Sequence, residues 1–402
     1  MKQQTSVAEV PVCSESRTAS AASAVPRVLH VMEATLGGTL VYLDTIITAM
    51  AGEPVAFALA YATLRATPAL EVALAKARAA GWQLFPVEMT REIAPAQDWR
   101  SGRALLRVYR QFRPDVVHCH SSKAGALSRL AAAAMPGRRP RVVYTPNSIA
   151  ANLGRKYLLV ERLLAPLTAR MVPVTDSEAK ELVDYKLTAP GRFHTVYPVV
   201  DCAQFAVRSR EAARAALGLP ANDPILVGVG RLTAQKGPFR FLRILQQVVR
   251  QMPSALGIWV GDGELRQEFL EAARAAGLAQ HVRVAGWQDD VGPWLAASNL
   301  LLSTSEYESF GYMVAEALAM ERPVVATDIT GTCDIMQGEF AAYLYPKEDA
   351  ECAANLVLSL LRSPELSSRV GGAGRRWIAD RYSFAQMRRG LTALYTEMHR
   401  LR

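Results

Sequence analysis

"PILVGVGRLTAQKGPFRFL", residues 224–242, reads as a strand, a loop and the start of a helix in one stretch. The apolar run closes at Gly230, Arg231 and Lys236 stand five apart in the loop, and a segment of helical period follows. The same pattern recurs downstream, with apolar runs "LGIWVG" (256–261), "HVRVAG" (281–286), "NLLLST" (299–304), "PVVATD" (323–328) and "AAYLYP" (341–346) separated by helical segments. Upstream stand "RVLHVM" (27–32), "VAFALAY" (55–61), "QLFPV" (83–87), "DVVHCH" (115–120), "RVVYTP" (141–146), "MVPVTD" (171–176) and "FHTVYPV" (193–199). Strand, helix, strand, repeated in each half, predicts two α/β domains built on parallel sheets. The break falls near residues 200–223. It divides the chain into a Ser/Ala-rich tail at 1–25, expected to be disordered, a first domain at 26–200, and a second at 201–383. A final helical segment at 384–402 is expected to pack back on the first domain.

The 402 residues, half of them apolar, suffice for two large cores. There is no apolar run of about 18 residues or more, and no apolar stretch after Lys2 resembles a signal sequence. Five scattered cysteines without a C-x-x-C pair argue against a disulfide framework or a zinc site, and a reducing cytoplasm is the expected compartment. Residues 26–200 hold 22 Lys/Arg against 13 Asp/Glu, a surplus of nine that equals the net charge of the whole chain. Part of it lies in "WRSGRALLRVYRQFRPD", where Arg100, Arg103, Arg107, Arg110 and Arg113 recur at helical spacing among apolar residues. This row is either a solvated helix face or a surface for anionic lipid or a phosphorylated acceptor. No nucleic-acid module accompanies it.

Parallel α/β domains place ligands beyond the carboxyl ends of their strands, so the loops there carry the chemistry. Arg231 and Lys236 beside a helix start make an anion site suited to a diphosphate, although the P-loop order of residues is absent. In "VGDGELR", Gly261 either admits a close ligand or serves an ordinary turn. In "SEYESFGYMVAEALAM" (305–320), Glu308 precedes a helix and Glu316 lies within it. That helix is apolar nearly all round, so it is buried, and Glu316 needs hydroxyls, a cation or an arginine as partner. The backbone N–H groups of Ser309, Phe310 and Gly311 offer a second phosphate cradle. A metal is disfavoured, because no Asp or His at ligand spacing joins the two glutamates. His120, at the end of a strand, is either a site residue or a core histidine. Lys123 is expected to be solvated or to meet an anionic acceptor.

The ordered set "GRLTAQKG", "GDGELR", "VRVAGW", "ESFGYMVAEAL" and "PVVATDITGTCD" resembles the C-terminal half of a family 4 glycosyltransferase of polysaccharide- and lipopolysaccharide-assembly type. The resemblance covers about residues 26–402 and is strongest over 225–345. It implies the GT-B fold, in which two Rossmann-like domains face each other across a cleft. It also implies a nucleotide diphosphate sugar of UDP or GDP type as donor substrate, with no permanently bound cofactor and no metal. By that resemblance Arg231 and Lys236 hold the diphosphate near Gly230 and Gly261. Glu308 contacts the donor sugar, Glu316 the ribose, and Trp287 lies near the base. In the first half, "EATLGGTLVYL" resembles the family's glycine loop, with Gly37 and Gly38 facing the diphosphate. "DVVHCHSSKAG" matches His120 to a position near the reaction centre. Asn147, Thr332 and Asp334, and "YPVVD" without the usual Asn-Gly, depart from the pattern.

The reaction so implied is transfer of a hexose with retention of configuration to a glycan or lipid-linked acceptor in envelope polysaccharide synthesis. The expected setting is the cytoplasm, with peripheral contact to the anionic inner face of the membrane. A nucleotide-sugar epimerase of the same fold and a non-catalytic nucleotide-sugar-binding protein are the alternatives. A dehydrogenase is disfavoured, since no G-x-G-x-x-G follows the first strand.

Overall fold

The computed structural model describes residues 25–35, 37–64, 67–147 and 154–401. The tail expected to be disordered lies, but for its last residue, outside the described residues. Two sheets organise the chain. β1 (Arg27–Met32), β2 (Ala56–Tyr61), β3 (Gln83–Pro86), β4 (Val116–His120), β5 (Arg141–Thr145) and β6 (Arg170–Met171) form the first, in the order β3-β2-β1-β4-β5-β6. β7 (Ile225–Val229), β8 (Leu256–Val260), β9 (Val282–Gly286), β10 (Leu300–Ser303), β11 (Val324–Thr327) and β12 (Leu344–Tyr345) form the second, in the order β12-β11-β10-β7-β8-β9. All ladders are parallel. Each lobe therefore runs outward from its first strand one way and then the other. The order reverses beside β1 and β4 in the first lobe and beside β7 and β10 in the second, the positions where open α/β sheets hold ligands.

The central strands are buried on both faces, as parallel strands covered by helices must be. "FHTVYPV" is not a strand, contrary to the expectation from sequence. Phe193 makes a single bridge to Met171, and the segment continues alongside through hydrogen bonds from His194 N to Met171 O and from Val196 N to Pro173 O. Pro173 has no N–H to donate back, so a regular ladder cannot extend past it.

The helix Pro95–Phe112 buries Leu105, Val108, Tyr109 and Phe112, while Arg100, Arg103, Arg107 and Arg110 face solvent. Those four arginines form no ion pair among the described residues. The C-terminal helix Phe384–Arg400 packs on the first lobe, where Arg388 Nε donates to Ala49 O at 2.7 Å and Glu397 pairs with Arg170. Between the lobes, Arg375 of the helix Pro364–Arg381 donates to the carbonyls of Cys202 (2.9 Å), Phe205 (2.8 Å) and Ala319, tying the connecting segment to the second lobe. No helix among the described residues is long and apolar enough to cross a membrane.

Candidate functional site

The loops after β7 and β10 are neighbours because those strands are adjacent at the switch point of the second lobe, and they are stitched together. Glu306 N donates to Gln235 O at 2.7 Å, Gln235 Nε2 to Tyr307 O at 3.2 Å, and Thr304 Oγ1 to Lys236 O at 2.9 Å. Gly237 permits this: its φ is 61°, and a Cβ there would lie 2.1 Å from Thr304 O. Gly261, at φ 137°, packs backbone on backbone against Gly230, where a Cβ would lie 2.1 Å from Gly230 O. Lys236, held at the end of this loop, places Nζ 2.5 Å from Glu308 Oε1, and Ser305 Oγ donates to the same oxygen at 2.7 Å. Residues 72 apart in sequence thus form one cation–carboxylate unit. Arg231 is exposed beside them, and its side chain makes no hydrogen bond among the described residues.

Ser309, Phe310 and Gly311 lead into the buried helix Tyr312–Ala319, with Gly311 left-handed at φ 93° as its N-cap. Among the described residues, none of the three amides has an acceptor. They point to an anion site at a helix N-terminus, where the dipole adds to the exposed N–H groups. One turn further on, Glu316 is only 8% exposed and has neither an arginine nor any other side-chain hydrogen-bond partner among the described residues. Burial holds its carboxyl up at about 8. Trp287, at the end of β9, is 67% exposed, and its Nε1 donates to Asp289 Oδ1 at 3.1 Å.

The first lobe meets this wall directly. A Cβ on Gly38 would sit 3.2 Å from the Tyr312 ring, and Gly37 caps the helix Gly38–Ala49 at φ 60°. Ser309 Oγ donates to Asn147 O at 2.5 Å, and Thr175 Oγ1 donates to Ser309 O at 3.2 Å. Asn147 takes a left-handed backbone at φ 56°, which asparagine tolerates better than most residues. Asp334 accepts from Ser177 N at 3.0 Å, from Ser177 Oγ and from its own Gly331 N at 3.3 Å. Two departures from the family pattern therefore sit on the contacts between the lobes.

His120 ends β4 with no exposure to solvent. His30 of β1 and His118 of β4 lie beside it, and ligand atoms of the three rings fall within 4.8 Å of one another. Five of their six ring nitrogens are already engaged with His30, His120, Tyr395 or Thr145. The cluster is thus a hydrogen-bonded network of imidazoles. Burial lowers the basicity of all three, His120 to about 3, so the rings are neutral. Among the described residues, His120 Nδ1 has no hydrogen-bond partner.

Other buried polar atoms without a partner lie on the same loops: Ser121 Oγ, Asn147 Nδ2, Thr233 Oγ1, Tyr312 Oη and Thr332 Oγ1. Buried polar groups are ordinarily satisfied, and further unpartnered ones among the described residues, such as Ser128 Oγ, Thr168 Oγ1 and Thr392 Oγ1, lie away from these loops. Sequence reasoning missed His30, His118, Tyr312 and Tyr395. The alternation of His118 and His120 along β4 is the one signal that puts two of these rings on a single sheet face. Lys123 is neither solvated nor free: its Nζ binds Asp98 Oδ1 and Glu92 O, both at 2.6 Å, because the helix it starts packs against Pro95–Phe112.

Two parallel-sheet lobes with facing switch points, their loops interlocked around a lysine–glutamate pair and a helix start, define the GT-B class. The chain matches the family description "Glycosyltransferase Family 4" over residues 36–204 and "Glycosyl transferases group 1" over residues 209–377. It belongs to this family of glycosyltransferases. One relative is the UDP-Gal:alpha-D-GlcNAc-diphosphoundecaprenol alpha-1,3-galactosyltransferase of Escherichia coli, 25% identical over 68% of this chain and 73% of that protein. A D-inositol 3-phosphate glycosyltransferase of Saccharomonospora viridis is 33% identical, over 57% of this chain and 55% of its own length. Among solved structures, sucrose-phosphate synthase from Thermosynechococcus elongatus superposes with a TM-score of 0.78 at 17% identity, covering 94% of this chain and all of that one. Anabaena HepE in complex with UDP and glucose gives 0.78 at 16% identity, over 92% of this chain and all of that one. At such identities the structural likeness speaks for the fold.

Proposed function

We propose that this glycosyltransferase moves a hexose, with retention of configuration and without a metal, from a UDP- or GDP-sugar to a glycan or lipid-linked acceptor of envelope polysaccharide. In this reading residues 201–383 hold the donor and residues 26–200 face the acceptor. The observation that carries it is the joined pair of loops in the second lobe. Exposed Arg231, Lys236 on Glu308, and the unengaged amides of Ser309–Gly311 combine two cations with a helix start, the chemistry a leaving diphosphate requires.

Glu308 is the polar group for the sugar and Glu316 the acceptor for ribose hydroxyls. Gly37 and Gly38 close over the diphosphate, and Gly230 and Gly261 pack against Lys236 and each other to set the loop that presents the lysine. Trp287 offers an exposed ring near the base, and His120 Nδ1 a partner for a donor hydroxyl. The acceptor hydroxyl attacks the anomeric carbon from the face the diphosphate leaves. A phosphate oxygen takes its proton as the old glycosidic bond breaks. The names of the Escherichia coli relative, with its diphosphoundecaprenol acceptor, and of HepE bound to UDP favour a UDP-sugar and a lipid-linked acceptor.

The test has two stages. Stabilisation by UDP, GDP and ADP, with and without Mg²⁺, fixes the base; one diphosphate acting without metal is expected. Turnover with the matching sugars and a polyprenyl-diphosphate acceptor is then compared with Arg231→Ala and Lys236→Ala, each expected to lose roughly 10²-fold or more. Near wild-type turnover in both variants would overturn the diphosphate assignment, an inverted product would overturn retention, and conversion of the donor without acceptor would favour an epimerase.

A further inference from the structure

The histidine network under β1 and β4 reaches across the first lobe to the C-terminal helix. β1 and β4 pair with His30 beside His118 and Met32 beside His120, so all three rings emerge on one sheet face. The His30 and His120 rings are 5.3 Å apart between centroids, with planes 9° apart and His30 Nδ1 3.0 Å from His120 Nε2. That combination leaves them edge to edge in nearly one plane, joined by an in-plane hydrogen bond. His30 Nε2 lies 3.3 Å from Tyr395 Oη, Tyr395 Oη 2.8 Å from His118 Nδ1, and His118 Nε2 2.8 Å from Thr145 Oγ1. Every member of this chain is fully buried.

Each neutral imidazole has one N–H, and each hydroxyl one hydrogen. With one proton in each of the four bonds and all rings neutral, three arrangements exist. In the first, Thr145 donates to His118 Nε2, His118 Nδ1 to Tyr395, Tyr395 to His30 Nε2, and His30 Nδ1 to His120 Nε2. The His120 proton then sits on Nδ1, which is a donor. In the second all four bonds reverse, His120 donates through Nε2 to His30, and its Nδ1 is a bare acceptor. In the third, His118 Nδ1 and His30 Nε2 both donate to Tyr395 Oη, whose own hydrogen turns out of the relay, and His120 Nδ1 is again a bare acceptor; Nδ1 is therefore a donor only when Tyr395 donates to His30 Nε2.

We infer that Tyr395, His118 and His30 are positioning residues that couple the tautomer of His120 to the C-terminal helix, so that the direction in which Tyr395 donates dictates whether His120 Nδ1 donates to or accepts from a donor-substrate hydroxyl. Changing the character of Nδ1 requires the two bonds between Tyr395 and His120 to reverse together, whichever way the His118 side runs. Its consequence for turnover rests on the role proposed above for His120.

Tyr395→Phe removes the relay's central hydroxyl while keeping the ring. Nitrogen-15 NMR of histidine-labelled protein should show a ratio of neutral tautomers at His120 that changes in Tyr395→Phe. Thr145→Val removes the bond beyond His118 and should shift that ratio less, and Thr145→Ser should keep the wild-type ratio. In the transfer assay, Tyr395→Phe is expected to lower turnover about tenfold while changing the acceptor KM less than twofold. A His120 tautomer ratio unchanged in Tyr395→Phe would overturn the relay. Should His120→Ala turn over like the wild type, the proposed role of His120 falls, and the spectra still decide the relay alone.

Discussion

Glu316 is the residue whose chemistry is most exposed to test. Its carboxyl is buried without a partner, so the folded protein holds a proton there up to pH about 8 that an unfolded chain gives up near the ordinary carboxylate value of 4.5. Glu178, buried beneath the junction of the lobes, is held up to about 8 in the same way by burial. The native state binds more protons than the unfolded one between those limits, so stability falls as pH rises through that window. Denaturant melts of the ligand-free protein from pH 5 to 8 should show that decline, and Glu316→Gln should flatten part of it. Nucleoside diphosphate affinity should move the other way. An ionised Glu316 accepts hydroxyl protons better than a protonated one, so wild-type binding tightens towards pH 8 while the Gln variant binds more weakly with little pH dependence. Binding that is pH-independent in both would remove Glu316 from the nucleotide site. At this scale the sequence is informative where partners lie within one stretch: Glu308 and Glu316 are eight apart, and the helix between them is apolar. The Lys236–Glu308 pair is silent in the sequence, and of the histidine relay only the alternation of His118 and His120 shows, since the members come from loops, strands and the C-terminal helix brought together only by the fold.

Among elements, the loop between β7 and the helix Pro238–Gln251 has least freedom to change. Gly237→Ala demands a left-handed alanine and drives its Cβ into the Thr304 carbonyl. It should cost more than about 1 kcal/mol in a denaturant melt and lower turnover disproportionately by shifting Lys236. Unaltered stability and turnover would show that the two loops are not fixed to each other. The arginine row on the helix Pro95–Phe112 makes the opposite kind of prediction, since its charges are exposed and unpaired. Charge reversal at Arg103, Arg107 and Arg110 should abolish sedimentation with anionic vesicles at low salt and leave turnover on a soluble acceptor intact. Failure of the wild type to bind such vesicles would leave the row a solvated face. The strands of both sheets are legible because parallel strands buried on both faces read as short apolar runs. "FHTVYPV" has the same composition and misleads, because the neighbour it would pair with carries Pro173 in the register where an N–H is needed.

For the molecule as a whole, the question is what holds the lobes together over the cleft. Beside an apolar core that runs on from one lobe into the other, their contact holds a concentrated set of polar links. Ser177 donates through N and Oγ to Asp334 and accepts from Gly331 N at 3.1 Å, Thr330 Oγ1 donates to Glu181, and Ser309 bridges to Asn147 and Thr175. Three of these partners, Ser309, Gly331 and Asp334, lie on the loops after β10 and β11, which also form the rim of the proposed diphosphate site. A ligand that orders those loops therefore stabilises the closed arrangement, which is how binding and closure become one event. Removing the Ser177 hydroxyl deletes a hydrogen bond to a carboxylate, worth about 2 kcal/mol, and moves the closed-to-open ratio by roughly thirtyfold. Ser177→Ala should consequently show a larger radius of gyration than the wild type by small-angle scattering without nucleotide. Saturating nucleoside diphosphate should return it to the wild-type value, at a higher concentration than the wild type needs. Asp334→Asn, which keeps the shape and loses the charge, should fall between the two. Superimposable scattering curves for all three proteins would mean that the apolar packing of Gly38 on Tyr312 closes the cleft and the polar contacts merely follow it.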